Sequence, residues 1–308
     1  MRKYRFLIVL ILLPSLINCC KKDENTSENE PFNKSITAIA IQNNDIWIGT
    51  DKNGLYNFNG ESWTVYTHSD GLASDTITAL ATGENSAIWV GTNKGISRFE
   101  NQNWTSWTES EGLFNNDIRC LGCDQMNNVW IGTRNNRLVK FDGTGFTAYH
   151  VNPTASGPGA LGHIHTIAHG PDGSIWVGSC ISGLSRFDGG NWSDYINNLS
   201  VFVQSSICDL EGNIWIGHYT GAYKFSNNIW TNYSEVEGLL SNSVFCFAID
   251  QQNNIWIGTD SGLSMYDGAV WTSYTTSNGL TDNNIKALAC DKDGNIWVGS
   301  PSGLTIIN

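Results

Sequence analysis

The chain has 308 residues and a net charge of −12, with 15% charged and 11% aromatic residues. This length permits one large domain or two average ones. The aromatic content and the many glycines favour an all-β protein with tight turns. Nucleic acid is excluded as a partner, because neutralising phosphate groups requires a basic surface.

Residues 1–19 have the pattern of a bacterial lipoprotein signal peptide. Basic residues within 2–5 precede an apolar run over 6–17, which is too short to favour a membrane-spanning helix. The run ends at Cys19 and Cys20 in a sequence similar to a lipobox, where one cysteine is acylated and becomes the new N-terminus. We expect an outer-membrane lipoprotein that faces the periplasm or the cell surface. An uncleaved anchor helix is the alternative.

An internal repeat defines the rest of the chain. The triplet Trp-(Ile/Val)-Gly recurs seven times at spacings of 39 to 46 residues, the length of one four-stranded propeller blade. It begins at Trp47, Trp89, Trp130, Trp176, Trp215, Trp256 and Trp297. The sequence therefore predicts an all-β, seven-bladed β-propeller over residues 35–308, preceded by a flexible, polar tether over 20–34.

Each repeat predicts four short strands, a to d. Strand a alternates apolar residues, as in 36–40, strand b carries the triplet, and strands c and d each carry an aromatic residue. The strand b tryptophans are interpreted as core that joins neighbouring blades, with sugar stacking as the alternative, above all for the strand d aromatics. The seventh repeat stops after strand c. We expect a three-stranded last blade, closed by packing of Trp297 against blade 1.

Six cysteines follow the lipobox region, and two of them form a Cys-x-x-Cys pair at Cys120 and Cys123. Such a pair can indicate zinc or redox chemistry. Here both cysteines fall in one predicted strand, and their columns recur in other repeats, at Cys246 and at Cys208 and Cys290. They are interpreted as small apolar core residues.

The repeat resembles a known family. Residues 254–263, Asn-Ile-Trp-Ile-Gly-Thr-Asp-Ser-Gly-Leu, together with the preceding Gly238-Leu239 and Asn242, are similar to the two-component regulator propeller repeat. The resemblance covers about residues 35–308. In that family, tandem propellers usually form the extracytoplasmic sensor of hybrid histidine kinases that respond to glycans. With one propeller and no kinase segment in this sequence, the resemblance implies recognition rather than direct signalling.

Candidate ligand-binding residues lie on one face of the predicted ring, where the b–c and d–a connections emerge; we name it the top face. The second residue of strand a is polar and varied around the ring. It is Thr37, Thr78, Arg119, His165, Gln204, Phe245 and Lys286 in blades 1 to 7. The b–c connections add Arg134 and Arg137 in blade 3 and His218-Tyr219 in blade 5.

These residues predict a patch over blades 3 to 5 that accepts an acidic group. Arg119, Arg134 and Arg137 would pair with a carboxylate or sulfate. The residues expected to hydrogen-bond or stack are His165, Gln204, His218 and Tyr219. Scattered surface residues that balance an acidic protein are the alternative.

The sequence thus predicts a non-catalytic binding module without a metal or cofactor, whose ligand is a glycan or a protein. A propeller lyase similar to the streptogramin lyases, which use a histidine and magnesium, is the alternative. It depends on the histidines His163, His165, His169 and His218. A second alternative is a propeller with a purely structural or protein-docking role. Residues 291–295 imitate the start of a calcium loop but lack its glutamate, so they are interpreted as a turn.

Overall fold

The computed structural model describes residues 31–135, 137–150, 163–180, 183–195 and 202–308. The predicted signal peptide, with Cys19, and the predicted tether up to residue 30, with Cys20, lie outside the described residues. Within the described ranges, no helix is long and apolar enough to cross a membrane.

The described strands form seven antiparallel sheets, each built from consecutive strands, and the sheets are the blades of one ring. Six blades have four strands and the last has three. The predicted fold is therefore confirmed, including the three-stranded last blade.

The blades have the following strands. Blade 1 contains β1 (Ile36–Gln42), β2 (Asp45–Thr50), β3 (Leu55–Phe58) and β4 (Trp63–Tyr66), and blade 2 contains β5 (Ile77–Thr82), β6 (Ile88–Thr92), β7 (Gly95–Glu100) and β8 (Asn103–Trp107). Blade 3 contains β9 (Ile118–Cys123), β10 (Val129–Thr133), β11 (Arg137–Phe141) and β12 (Phe146–His150), and blade 4 contains β13 (Ile164–His169), β14 (Ile175–Ser179), β15 (Leu184–Phe187) and β16 (Trp192–Asp194).

Blade 5 contains β17 (Ser205–Cys208), β18 (Ile214–His218), β19 (Gly221–Ser226) and β20 (Ile229–Tyr233), and blade 6 contains β21 (Val244–Ile249), β22 (Ile255–Thr259), β23 (Leu263–Tyr266) and β24 (Trp271–Tyr274). Blade 7 contains β25 (Ala287–Cys290), β26 (Ile296–Ser300) and β27 (Gly303–Ile307). Short 3-10 turns occur at His68–Asp70, Glu84–Ser86, Glu109–Glu111 and Thr276–Asn278.

Aromatic residues join each blade to the next. All seven strand b tryptophans are buried, with at most 7% of their surface exposed. Between blades 1 and 2, Trp47 stacks on Tyr66 with ring centroids 6.0 Å apart, Tyr66 contacts Phe99 at 5.2 Å, and Phe99 contacts Trp104 at 4.9 Å. The interpretation of the strand b tryptophans as core is confirmed. The strand d tryptophans are half-buried and belong to the same contacts.

The turn between strands a and b explains another part of the repeat. In blade 7, Asp291 accepts hydrogen bonds from the side chains of Asn295 and Trp297, at 2.8 and 2.9 Å, and from the backbone N–H groups of Asp293 and Asn295. Aspartates in blades 3, 5 and 6 bond to their asparagine and tryptophan in the same way. The interpretation of residues 291–295 as a turn is therefore confirmed.

Closure of the ring involves a residue that sequence analysis did not single out. In blades 1, 2, 5 and 6, a glycine lies just before strand c or opens it. A Cβ added to this glycine would collide with the backbone carbonyl of the last residue of strand d. In blade 7 the corresponding Gly303 meets the carbonyl of Phe32 instead. Phe32 also packs edge-on against Trp63, with centroids 6.2 Å apart, in the cluster that contains Trp297. Phe32 thus takes the place of a strand d aromatic between blades 7 and 1.

Candidate functional site

The first strand of every blade lines the inside of the ring. Each of these strands contacts the first strand of the two adjacent blades. Their lower halves line a cavity of about 400 Å³, with Ile39, Leu80, Leu121, Ile167 and Cys290 among the lining residues. The strands therefore surround a central channel.

A β-bulge marks the top end of most of these strands. The register shifts at the second residue of strand a in blades 1, 2, 3, 4 and 6. In blades 5 and 7 the corresponding residues, Gln204 and Lys286, stand just before the strand and donate their N–H to the carbonyls of Gly217 and Gly299. A bulge leaves one residue outside the ladder and re-aims its side chain. One residue per blade is thus free to face the upper channel.

We name these seven residues the channel mouth. They are Thr37, Thr78, Arg119, His165, Gln204, Phe245 and Lys286. Five of them carry a buried polar atom that has no hydrogen-bond partner among the described residues: Thr37 Oγ1, Thr78 Oγ1, Arg119 Nε, His165 Nε2 and Gln204 Oε1. Leaving such a group unsatisfied costs about 1–3 kcal/mol. The channel mouth therefore brings together several buried polar groups that could hydrogen-bond to a ligand.

The three arginines of blade 3 do not form a single cluster. Arg119 and Arg134 share Asp117, with Arg119 Nη2 and Arg134 Nη1 at 3.3 and 3.2 Å from Oδ2. Arg119 Nε also lies 3.2 Å from the other carboxylate oxygen, but without hydrogen-bond alignment. Arg137 lies over the ring of Phe114 instead, 5.5 Å from its centroid. Part of the predicted positive charge is therefore neutralised within the protein.

His165 belongs to a row of aromatic rings on the top face. Its ring centroid is 4.9 Å from that of Phe202, and Phe202 is 5.0 Å from Tyr219. Burial, followed by the positive charges of His163 and Arg119, lowers the pKa of His165 to about 4. The imidazole is therefore neutral at physiological pH and can donate or accept a hydrogen bond.

Phe202 was missed by sequence analysis. It lies three residues before β17, in a column of the repeat where other blades carry polar residues such as Thr76, Asp117 and Ser243. An aromatic residue in a polar column was the available signal.

His218 and Tyr219 are adjacent in sequence but differ in role. His218 is 4% exposed, and its Nδ1 accepts the N–H of Thr220 at 3.1 Å. The Thr220 hydroxyl lies 2.8 Å from both His218 Nδ1 and the hydroxyl of Tyr223. Tyr219 is 52% exposed. The structure thus buries His218 at the end of β18 and places Tyr219 on the surface.

Phe245 and Lys286 form a pair across blades 6 and 7. The Lys286 ammonium lies 3.7 Å from the centroid of the Phe245 ring, close enough for a cation–π interaction. Burial lowers the pKa of Lys286, and the negative charges of Asp260 and Asp282 partly oppose this effect. The pair lies apart from the arginines of blade 3.

The Cys-x-x-Cys pair divides between two environments. The Cys120 thiol is buried between blades and faces the carbonyl of Ile164, whereas Cys123 lines the lower cavity. Burial is the main cause that raises the pKa of Cys123 to about 12, and it raises that of Cys120 as well. These environments support the interpretation of both as core residues, because a reactive thiol needs a lowered pKa.

His169 also lines the lower cavity. A Cβ on Gly122 of the neighbouring blade would collide with the His169 ring. This contact supports a packing role for His169. Within the described ranges, no three His, Cys, Asp or Glu residues are grouped so that they could hold a metal ion.

The fold defines the class of protein, a seven-bladed β-propeller, and three of its repeats match a known family. Residues 112–135, 238–261 and 279–302 match the family described as two component regulator propeller. The resemblance noted in the sequence is thereby confirmed for these repeats. No curated protein sequence matches the chain.

Solved structures share the fold. One is the extracellular domain assigned to the hybrid two component system BT3049 of B. thetaiotaomicron, with a TM-score of 0.78 and 22% identity over 92% of this chain and 40% of that one. A second is the extracellular domain assigned to the one component system BT4673 of the same organism, with a TM-score of 0.73, 22% identity, and coverage of 91% and 39%. The chain thus spans about 40% of the length of these domains.

A third structure is virginiamycin B lyase from Staphylococcus aureus, a catalytically inactive variant with quinupristin. Its TM-score is 0.75 with 13% identity over 92% of this chain and 96% of that one. At these levels of identity, all three likenesses show the propeller fold alone.

Proposed function

We propose that this chain is a non-catalytic recognition module of an extracytoplasmic sensing or uptake system, and that its ligand binds in the channel mouth. The observation that carries the proposal is the set of five buried polar atoms there without a hydrogen-bond partner among the described residues. A ligand that supplies their hydrogen bonds would remove a cost that the fold otherwise bears. The two component regulator propeller repeats support a recognition role.

The proposed ligand is an acidic glycan. Thr37, Thr78 and Gln204 offer hydroxyl and amide groups, which suit the hydroxyls of a sugar. The exposed ring of Tyr219, beside Phe202, offers a stacking surface. A protein segment with an acidic side chain is the other candidate, because the same groups would bind it.

We also propose that the chain is carried outside the cytoplasm as a lipoprotein, with a tether between the lipid and the ring. The support is the sequence pattern of residues 1–19 and the cysteines at 19 and 20. Mass spectrometry of the mature N-terminus, after expression in a bacterium that processes lipoproteins, identifies which cysteine is acylated.

The first test uses matched threonine substitutions in blades 1 and 2. The double variant Thr37→Val and Thr78→Val removes two hydroxyls from the channel mouth. We expect it to bind acidic oligosaccharides on a glycan array at least about tenfold more weakly than the unaltered protein, since each lost hydrogen bond contributes on the order of 1 kcal/mol.

The control for this test is Thr64→Val with Thr105→Val. Both residues are exposed on the outer strands of the same two blades, so binding should remain unchanged. Equal affinity of the channel variant and the control would contradict a site in the channel mouth. Binding of a peptide library in place of glycans would favour the protein ligand.

The propeller lyase alternative gains no specific support. His165 contacts Phe202, His218 bonds to Thr220, and His169 packs on Gly122. Turnover of a cyclic peptide antibiotic that depended on His165 or His218 would favour the lyase over the binding module.

A further inference from the structure

Lys286 differs from Arg119 and Arg134, the two cations of the top face that lie beside Asp117, in its surroundings. Arg119 and Arg134 share the carboxylate of Asp117. Among the described residues, by contrast, no carboxylate forms an ion pair with the Lys286 ammonium. Its near neighbour is the Phe245 ring, 3.7 Å away. An aromatic face attracts the charge but accepts none of the three N–H bonds as a carboxylate would.

The acidic groups around Lys286 are engaged elsewhere. Asp282 accepts a hydrogen bond from the Ser302 hydroxyl at 2.6 Å and from the N–H of Asn284 at 2.9 Å. Asp260 accepts from the Ser261 hydroxyl at 3.0 Å. Their charges favour the protonated amine from a distance. These two carboxylates thus oppose the effect of burial on the amine without pairing with it, and its donors remain available to a ligand.

The position of Lys286 in the channel mouth strengthens its interaction with an anion. Lys286 belongs to the channel mouth and is half-buried, so water screens charges less there than at an open surface. The pairing energy of an anion is correspondingly larger there, and charge-assisted hydrogen bonds are about twice as strong as neutral ones. A single ammonium suits one anionic oxygen, whereas an arginine prefers a bidentate contact.

We infer that Lys286, rather than the Asp117-paired Arg119 and Arg134, selects an acidic ligand: one carboxylate or sulfate oxygen binds the Lys286 ammonium beside Phe245 in the channel mouth. This inference rests on the proposed function, since it assigns the acidic group of that ligand to a particular residue.

The test uses glucuronate, with glucose as its neutral counterpart and glucose 6-sulfate as the sulfate probe. Binding is followed by NMR, including the ε-carbon resonance of Lys286. We expect glucuronate or glucose 6-sulfate to shift this resonance and to bind Lys286→Gln at least about tenfold more weakly than the unaltered protein. Glucose should bind both proteins equally. Lys286→Arg, which keeps the charge, should bind within a few-fold of the unaltered protein.

The matched control is Lys292→Gln. Lys292 belongs to the same blade but lies in the a–b turn, at the opposite end of strand a, paired with Asp293. Glucuronate should bind this control as it binds the unaltered protein. If neither anion moves the Lys286 resonance, or if Lys286→Gln retains full affinity, the inference is wrong.

The two proposals fail differently. If acidic glycans bind and depend on Thr37 and Thr78 but not on Lys286, the channel mouth remains the site, and only the assignment of the acidic group to Lys286 is wrong. If binding of the anions depends on Lys286 while the threonine substitutions leave the affinity unchanged, Lys286 is retained as the residue that binds the acidic group. The proposed hydrogen-bonding site around Thr37 and Thr78 is then wrong. Loss of affinity in Arg134→Gln alone would assign the acidic group to blade 3 and overturn the inference.

Discussion

At the level of single residues, one glycine per blade sets how closely the next blade packs. It is the glycine of the Trp-(Ile/Val)-Gly triplet. A Cβ there would lie only 2.5 to 2.7 Å from a branched side chain at, or two residues before, the start of strand a of the next blade. Gly299 meets Ile36 in this way, so the pattern continues across the closure of the ring. The tryptophan of the triplet provides buried surface, and the glycine leaves space for the branched side chain of the next blade.

This contact predicts the effect of a single methyl group. Gly91→Ala would place a Cβ 2.7 Å from Cγ2 of Ile118. Because both atoms are buried between blades, we expect a loss of about 1–3 kcal/mol in the free energy of unfolding, typical of an overpacked core. Urea unfolding measures the loss. Gly145→Ala is the control, since nothing lies within 4 Å of its added Cβ; equal stability of the two variants would refute the packing role.

At the level of the strand, the repeat pattern predicts the features that packing between blades requires, but not the features that depend on the backbone register. Blade number, strand order and buried tryptophans were predictable, because each blade needs the same residues to cover its neighbour. The bulge at Thr37 or His165 was not, because an apolar alternation is compatible with a regular strand. The partner of Arg119 and Arg134 was also missed, because the direction of Asp117 depends on how the d–a connection folds.

The a–b turn has a testable dependence on pH. Burial alone would raise the pKa of Asp291, but hydrogen bonds from Trp297 and Asn295 outweigh it and bring the pKa below its usual 3.8. The folded state therefore gains stability from the carboxylate above about pH 4, and this gain is lost as the pH falls through the lowered pKa. We expect Asp291→Asn to lower stability by about 1–2 kcal/mol at pH 7, with the difference vanishing in acid.

Thermal melting from pH 7 down to pH 2 measures this difference. Asp293→Asn in the same turn is the control, because the Asp293 side chain is 66% exposed and pairs only with Lys292 among the described residues. A stability difference for Asp291→Asn that stayed constant over this pH range would show that the charge of Asp291 is not responsible.

At the level of the whole molecule, closure of the ring depends on contacts between its two ends. Blade 7 lacks a fourth strand among the described residues, and Phe32 fills the aromatic position that a strand d residue fills elsewhere. The sequence predicted closure by Trp297 against blade 1, and that contact is present in the same cluster. Phe32 was not predicted, since the residues around it are polar and its partner, Gly303, is more than 270 residues away.

The relative importance of these two contacts can be measured with Phe32→Ala. A fully buried phenylalanine costs about 3–5 kcal/mol when truncated to alanine, and Phe32 is half-buried, so we expect about 2 kcal/mol in urea unfolding. Phe114→Ala is the control, because Phe114 is 41% exposed on a d–a connection and should matter less. Since an open ring would expose the edges of blades 1 and 7 first, Phe32→Ala should also speed proteolysis there. If its stability equals that of the control, Trp297 and its neighbours close the ring without Phe32.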